Sequence, residues 1–104
     1  MKTITILGST GSIGTQALEV ANKHNIKIKA LAAHSNINLL AEQAIENKVD
    51  YACIYCKDKA EELRKLLEHT NIQVLGGMEG LKQIASLDGV DCMLNSVVGM
   101  VGLL

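Results

Sequence analysis

The feature that most constrains the fold of this chain is a short β-branched and apolar run that leads directly into three evenly spaced glycines. The run spans Thr3–Leu7, and Gly8, Gly11 and Gly14 follow it at intervals of three residues. A pattern typical of a helix comes next. A strand that delivers the chain to a glycine turn, followed by a helix whose first N–H groups are free, is an arrangement that binds phosphate.

Each glycine of this loop is expected to have a separate purpose. We expect Gly8 to permit a tight turn after the strand, Gly11 to let a pyrophosphate approach the main chain, and Gly14 to let helix and strand pack closely. The spacing G-x-x-G-x-x-G is one residue longer than the common dinucleotide fingerprint, and no Gly-Lys-Ser/Thr follows it, so the loop is not a Walker motif. A turn that merely needs glycine is the alternative. The hydroxyls between the glycines can hydrogen-bond phosphate oxygens or backbone groups, and they belong to Ser9, Thr10 and Ser12.

Strand-like and helix-like segments alternate along the whole chain. Strands are predicted at residues 3–7, 26–33, 51–55, 72–75 and 92–98. Apolar stripes at helical spacing lie between them, with Ile37, Leu40, Ala41, Ala44 and Ile45 in one and Ala60, Leu63, Leu66 and Leu67 in the next. Because parallel strands need crossover connections, the alternation predicts an α/β fold, a Rossmann-like doubly wound parallel sheet of five visible strands with helices on both faces. Such sheets bind ligands beyond the carboxyl ends of their strands, where the glycine loop lies.

Composition argues against several classes of function. The 104 residues carry a net charge of −1 and only two aromatic side chains, so a charged groove or stacking platform for nucleic acid has little to build on. The sequence has neither a signal-peptide pattern nor an apolar run of membrane-spanning length, which predicts a cytoplasmic protein without a membrane partner.

Three cysteines, Cys53, Cys56 and Cys92, are interpreted as small buried hydrophobes in a reducing compartment. Cys53 and Cys56 form a C-x-x-C pair, but the pair lies in a strand-like run, where residues three apart point to opposite faces. Because no second Cys or His pair stands at zinc spacing, we expect no zinc site.

The end of the second strand bears on which dinucleotide binds. NAD-binding versions of this fold place an Asp or Glu there to hydrogen-bond the ribose 2′-OH. This chain has His34, Ser35 and Asn36 instead, which can donate hydrogen bonds to a 2′-phosphate and do not repel it. NADP is therefore favoured over NAD, although Arg, the usual bidentate partner of phosphate, is missing. Asn36 is equally suited to cap the second helix.

The segment from Thr5 to Gly14 closely resembles the start of the 1-deoxy-D-xylulose 5-phosphate reductoisomerase family. The resemblance continues through the chain, at Ala30-Leu31, Asn36, Glu42-Gln43, Val90-Asp91, Val98-Gly99 and Gly102-Leu103-Leu104. It implies the NADPH-binding part of a homodimeric enzyme of non-mevalonate isoprenoid biosynthesis. That family isomerises its sugar phosphate with a divalent metal, Mg or Mn, and reduces the product to 2-C-methyl-D-erythritol 4-phosphate.

Carried over by position, the resemblance assigns residues only to the cofactor. Thr10, Gly11, Ser12 and Ile13, with Gly8 and Gly14 around them, would contact NADPH at the glycine loop. The adenosine-phosphate end would be lined by His34, Ser35 and Asn36. Many members have glycine in place of His34 and often lysine in place of Ser35. This departure leaves the expected cofactor class unchanged, and it leaves open how His34 and Ser35 take part in 2′-phosphate recognition.

We expect residues 1–104 to be one N-terminal dinucleotide-binding domain of a longer protein, with the metal-binding catalytic domain and a C-terminal domain lying beyond Leu104. No residue here is expected to be catalytic or to bind metal, and the chain alone is expected to be inactive. The carboxylates of Asp50, Asp58, Asp88 and Asp91 are expected to be ordinary solvated groups. The alternatives are a naturally small domain, another NAD(P)H reductase with a G-x-x-G-x-x-G loop, or a nucleotide-sensing module without chemistry.

Overall fold

The computed structural model describes residues 2–95, with the exception of the side chains of Ser12, Ile13 and Asn95. The described chain forms a five-stranded sheet in the order β4-β3-β2-β1-β5, and every neighbouring pair is parallel. The strands are β1 (Thr3–Leu7), β2 (Lys27–Ala33), β3 (Tyr51–Ile54), β4 (Gln73–Gly76) and β5 (Cys92–Asn95). The helices are α1 (Ser12–Lys23), α2 (Ile37–Asn47), α3 (Ala60–Leu66) and α4 (Gly77–Ala85), with a 3-10 turn at Lys57–Lys59.

Strand β1 lies at the point where the strand order reverses. The chain moves outward from β1 through β2 and β3 to β4, then returns by way of α4 to place β5 on the other side of β1. A crevice forms beyond the carboxyl ends of the strands at such a switch point, and the glycine loop leaves β1 there. The predicted α/β fold class is confirmed. None of the described helices has the length and apolar character needed to span a bilayer.

Helices cover both faces of the sheet and bury a core on each. Helices α1, α2 and α3 share one face, where the fully buried side chains include Ile6, Leu31, Leu40 and Leu63. Helix α4 packs on the other face, where Leu7, Ala32, Cys53 and Leu81 are fully buried. Each large side chain removed from water in this way stabilises the fold by roughly 1.5–3 kcal/mol. These cores hold the carboxyl ends of β1 and β2 in fixed relative positions.

A β-bulge interrupts the pairing of β1 with β2. Ile4 pairs with Ile28 but Thr5 pairs with Ala30, so Lys29 is an extra residue in the ladder. The Lys29 ammonium lies 2.9 Å from the Asp50 carboxylate. Hydrogen bonding to that carboxylate, together with its charge, raises the pKa of Lys29.

Several boundaries and faces differ from the sequence-based prediction. Residues 96–98 of the fifth predicted strand lie outside the described part of the chain. Ile45 and Leu66 were predicted to face the core, yet they are 49% and 45% exposed. Both lie at the edges of apolar stripes, and periodicity alone does not determine which edge of a stripe contacts the sheet.

Candidate functional site

The glycine loop is tied to the carboxyl end of β2 by backbone hydrogen bonds. Gly8 adopts a positive φ of 82°, which reverses the chain after β1. The N–H groups of Gly8 and Ser9 both donate to the carbonyl of Ala32, at 2.6 and 3.0 Å, and Gly11 N donates to Gly8 O at 3.1 Å. The expected purpose of Gly8 is confirmed, and the loop is fixed to the neighbouring strand.

Gly14 allows α1 to begin against the loop. A Cβ on Gly14 would lie 2.1 Å from the carbonyl oxygen of Gly8 and 2.7 Å from the Cα of Ser9. Both neighbours are backbone atoms, which cannot rotate out of the way as a side chain can. The close approach expected of Gly14 is therefore present, between the first turn of α1 and the loop.

Gly11 has no comparable structural requirement. Its φ of −80° is open to any residue, and a Cβ there would meet only Gly8 O, at an ordinary contact distance of 3.5 Å. Gly11 is exposed and is the N-cap of α1, a position that usually favours Ser, Thr, Asp or Asn. Among the described side chains none caps this helix, and no acidic residue stands in its first turn. The start of α1 is thus able to receive an anion.

The hydroxyls of the loop do not all face the same way. Ser9 is fully buried, and its Oγ has no hydrogen-bond partner among the described residues. Thr10 is partly exposed. The side chains of Ser12 and Ile13 lie outside what the structure describes, although both residues begin α1 at the loop. Because Ser9 is buried, its hydroxyl faces the interior, whereas Thr10 remains open to a ligand.

The segment after β2 stands at the same edge of the sheet as the loop. His34 is exposed, and its ring centroid lies 5.4 Å from that of Tyr55, with the planes tilted by 32°. Ser35 is partly buried. Asn36 Oδ1 accepts a hydrogen bond from Leu39 N at 3.3 Å, so its expected alternative as the cap of α2 is confirmed. The Asn36 amide nitrogen and the His34 ring are left to meet a ligand.

Sequence reasoning missed Gln43 as a residue of this site. Its side chain lies on α2, is 5% exposed, and donates from Nε2 to the carbonyl of Ser9 at 2.8 Å. Helical periodicity gave no signal for Gln43, because this residue lies outside the predicted apolar stripe of α2. It was noted only as part of the family resemblance.

Two of the four aspartates that were expected to be ordinary solvated groups have partners in the fold. Asp50 pairs with Lys29, and Asp91 Oδ2 accepts a hydrogen bond from Thr3 N at 2.8 Å. Within residues 2–95, no three His, Cys, Asp or Glu side chains come together as a metal-binding group.

The cysteines do not share one environment, contrary to the expectation that all three are buried. Cys53 is buried, Cys56 is partly buried, and Cys92 is exposed on β5. Desolvation by burial raises the pKa of Cys53 to about 12, so this thiol stays protonated and poorly nucleophilic at neutral pH.

A family model and a similar protein that match this chain carry the same enzyme name. The family model described as 1-deoxy-D-xylulose 5-phosphate reductoisomerase matches residues 4–104. The protein of that name from Lachnoclostridium phytofermentans is 47% identical over 104 residues, which is 99% of this chain and 27% of the relative.

Solved structures of the same enzyme agree in fold. A DOX-P reductoisomerase in complex with magnesium is 32% identical with a TM-score of 0.93, over 99% of this chain and 26% of the other. A second, in complex with NADPH, fosmidomycin and magnesium, is 31% identical with a TM-score of 0.89, over 95% and 25%. The chain spans about a quarter of the length of the proteins it matches. Neither another reductase family nor a nucleotide-sensing module is supported by these matches.

Proposed function

The chain belongs to the 1-deoxy-D-xylulose 5-phosphate reductoisomerase family, and on that premise we propose that it forms the N-terminal NADPH-binding domain of such an enzyme. The pyrophosphate would be held where the glycine loop enters α1, and the adenosine phosphate at the end of β2. The proposed cofactor-binding residues are Gly8, Thr10, Gly11, Ser12, Ile13, Gly14, His34, Ser35 and Asn36.

The observation that carries this proposal is the contrast among the three glycines. The fold itself requires Gly8, for its positive φ, and Gly14, for its close backbone contacts. Neither requirement applies to Gly11, yet it lies at the exposed start of a helix that none of the described side chains caps. A glycine in that place leaves room for an anion to approach the backbone, and a related structure with this fold contains NADPH.

The groups after β2 favour NADPH over NADH. No Asp or Glu occurs from Ala33 through Asn36, so no carboxylate in this segment repels a 2′-phosphate. His34 is exposed and Ser35 is partly exposed, and both carry donors suited to phosphate oxygens. NADPH would supply the hydride for the reduction, while these residues bind and orient it.

The activity of the whole protein is proposed from the family. It would isomerise and reduce 1-deoxy-D-xylulose 5-phosphate to 2-C-methyl-D-erythritol 4-phosphate, as a cytoplasmic homodimer of the non-mevalonate isoprenoid pathway. The Mg or Mn ion would be held by residues outside this domain, a proposal supported by the lack of any cluster of three His, Cys, Asp or Glu side chains among residues 2–95. We therefore propose that residues 1–104 supply cofactor binding and no catalytic group.

Calorimetric titration of the purified protein with NADPH and NADH tests the cofactor assignment. We expect NADPH to bind at least about tenfold more tightly, since one charge-assisted hydrogen bond to the 2′-phosphate supplies about 1.5–3 kcal/mol. Titration with 2′,5′-ADP and 5′-AMP isolates the adenosine end, and the first should bind more tightly. Tighter binding of NADH would contradict the assignment, and no binding of either dinucleotide would contradict the proposal.

A further inference from the structure

We propose that Gln43 is a positioning residue that sets the orientation of the glycine loop for the cofactor phosphates. Its side chain crosses from α2 to the loop, and its Nε2 lies 2.8 Å from the Ser9 carbonyl oxygen although the two residues are 34 positions apart. A carbonyl oxygen can only accept, so the donating atom facing it must be the amide nitrogen of Gln43.

The Ser9 carbonyl is held by two side chains on two different helices. Gln43 approaches from α2, and Thr15 Oγ1 of α1 donates to the same oxygen at 3.3 Å. Both lone pairs of the carbonyl are thereby used. The Ser9–Thr10 peptide is trans, so its N–H points opposite to its C=O. Fixing the Ser9 carbonyl against α2 therefore also fixes the direction of the Thr10 N–H, at a residue proposed to contact the pyrophosphate.

Side-chain packing alone does not account for a glutamine at this position. Gln43 is 5% exposed, and its Oε1 is buried with no hydrogen-bond partner among the described residues. A buried amide oxygen without a partner is unfavourable, and an apolar side chain of the same size would avoid that penalty. What an apolar side chain lacks is the donor to Ser9, which indicates that this contact is the reason for the amide.

The inference rests on the proposed NADPH site, but its first test does not need the cofactor. Amide hydrogen exchange of the unliganded protein is compared between wild type, Gln43→Met and Thr15→Val. Met preserves length and burial but cannot donate, and Val removes the second donor. We expect exchange of the hydrogen-bonded loop amides of Gly8, Ser9 and Gly11 to rise about tenfold or more in Gln43→Met and less in Thr15→Val, with the amides of β2 unchanged. Asn47→Leu is the matched control, because Asn47 donates from the same helix to the Gln43 backbone carbonyl at 2.7 Å and does not touch the loop.

The second test is NADPH affinity, which we expect to fall roughly tenfold in Gln43→Met and to stay unchanged in Asn47→Leu, because a misdirected loop loses aligned phosphate contacts. Loop exchange equal to wild type in Gln43→Met, or an equal rise in the loop and in β2, would overturn the positioning role. Unchanged NADPH affinity with a loosened loop would overturn it too. If the wild type binds no NADPH, the proposed function fails, while the exchange comparison still decides whether Gln43 orders the loop.

Discussion

Substitution of the two glycines at the start of α1 should separate stability from binding. In Gly14→Ala the new Cβ would lie 2.1 Å from the Gly8 carbonyl oxygen, roughly 1 Å inside the shortest ordinary contact. The loop cannot easily move that far, because Gly8 is hydrogen-bonded to Ala32 through its N–H and to Gly11 through its carbonyl. We expect Gly14→Ala to lower the free energy of unfolding by about 3 kcal/mol, the upper part of the range for overpacking.

Gly11→Val should behave in the opposite way. The Gly11 backbone is extended, which suits a β-branched residue, and a Cβ there makes only an ordinary contact. The preference of the N-cap for glycine over apolar residues is offset by the lower entropy of the unfolded chain, so stability should change by less than about 1 kcal/mol. The valine side chain would occupy the space of the pyrophosphate. NADPH affinity should fall at least about 100-fold, since two charge-assisted hydrogen bonds from the helix start to the pyrophosphate, of about 1.5–3 kcal/mol each, would be lost.

Urea denaturation and fluorescence titration with NADPH measure the two effects. The informative result is the crossed pattern, in which Gly14→Ala is unstable and Gly11→Val is stable but does not bind. A Gly14→Ala protein as stable as wild type would refute the close backbone approach. Undiminished NADPH affinity in Gly11→Val would refute the assignment of the helix start to the pyrophosphate.

Two further predictions concern the end of β2 and the buried thiol. Asn36→Ala should lower stability by about 1 kcal/mol through loss of the cap to Leu39, whereas Asn36→Asp should keep the cap and shift the NADPH-to-NADH affinity ratio at least about tenfold toward NADH. Thermal denaturation and parallel titrations check both variants, and an unchanged ratio in Asn36→Asp would show that this residue does not face the ribose. The raised pKa of Cys53 means that its stabilising contribution is complete below its ordinary pKa of 9.0 and is lost as pH rises toward about 12. Between pH 9 and 11 the free energy of unfolding of the wild type, measured by urea denaturation, should fall by about 1 kcal/mol per pH unit relative to that of Cys53→Ala. An equal pH dependence of the two proteins would contradict this.

The parts of the fold that the sequence predicted well are those with strong local signals. β1 matches its prediction at both ends, because a β-branched run is followed at once by Gly8 in a conformation that other residues rarely adopt. The alternation of strands and helices was sufficient to predict a parallel sheet with helices on both faces. The observed ends of strands such as β2 and β4 differ by one residue from the predicted ones, because their hydrogen bonds depend on neighbouring strands that are distant in sequence.

The candidate site was predictable at the glycines and only partly predictable after β2. The requirement for Gly14 follows from the motif, but the contrast with Gly11 needs the distances to Gly8. The sequence left open whether Asn36 caps α2, and the structure shows that its oxygen does so. The burial of Ser9 could not be predicted, because it depends on how α2 packs over the loop.

Helix α2 shows why periodicity alone failed at the most informative residue. At about 100° per residue, Ile45 lies about 70° from the middle of the predicted apolar stripe and Gln43 about 130°, so pattern reasoning places Ile45 inside and Gln43 outside. The structure reverses this, with Ile45 49% and Gln43 5% exposed. The buried arc of α2 is therefore rotated toward the glycine loop, where the Ser9 carbonyl accepts the Gln43 amide. A polar residue that is buried outside the predicted apolar stripe indicates that something polar lies opposite it, and here that group is the backbone of the proposed phosphate loop.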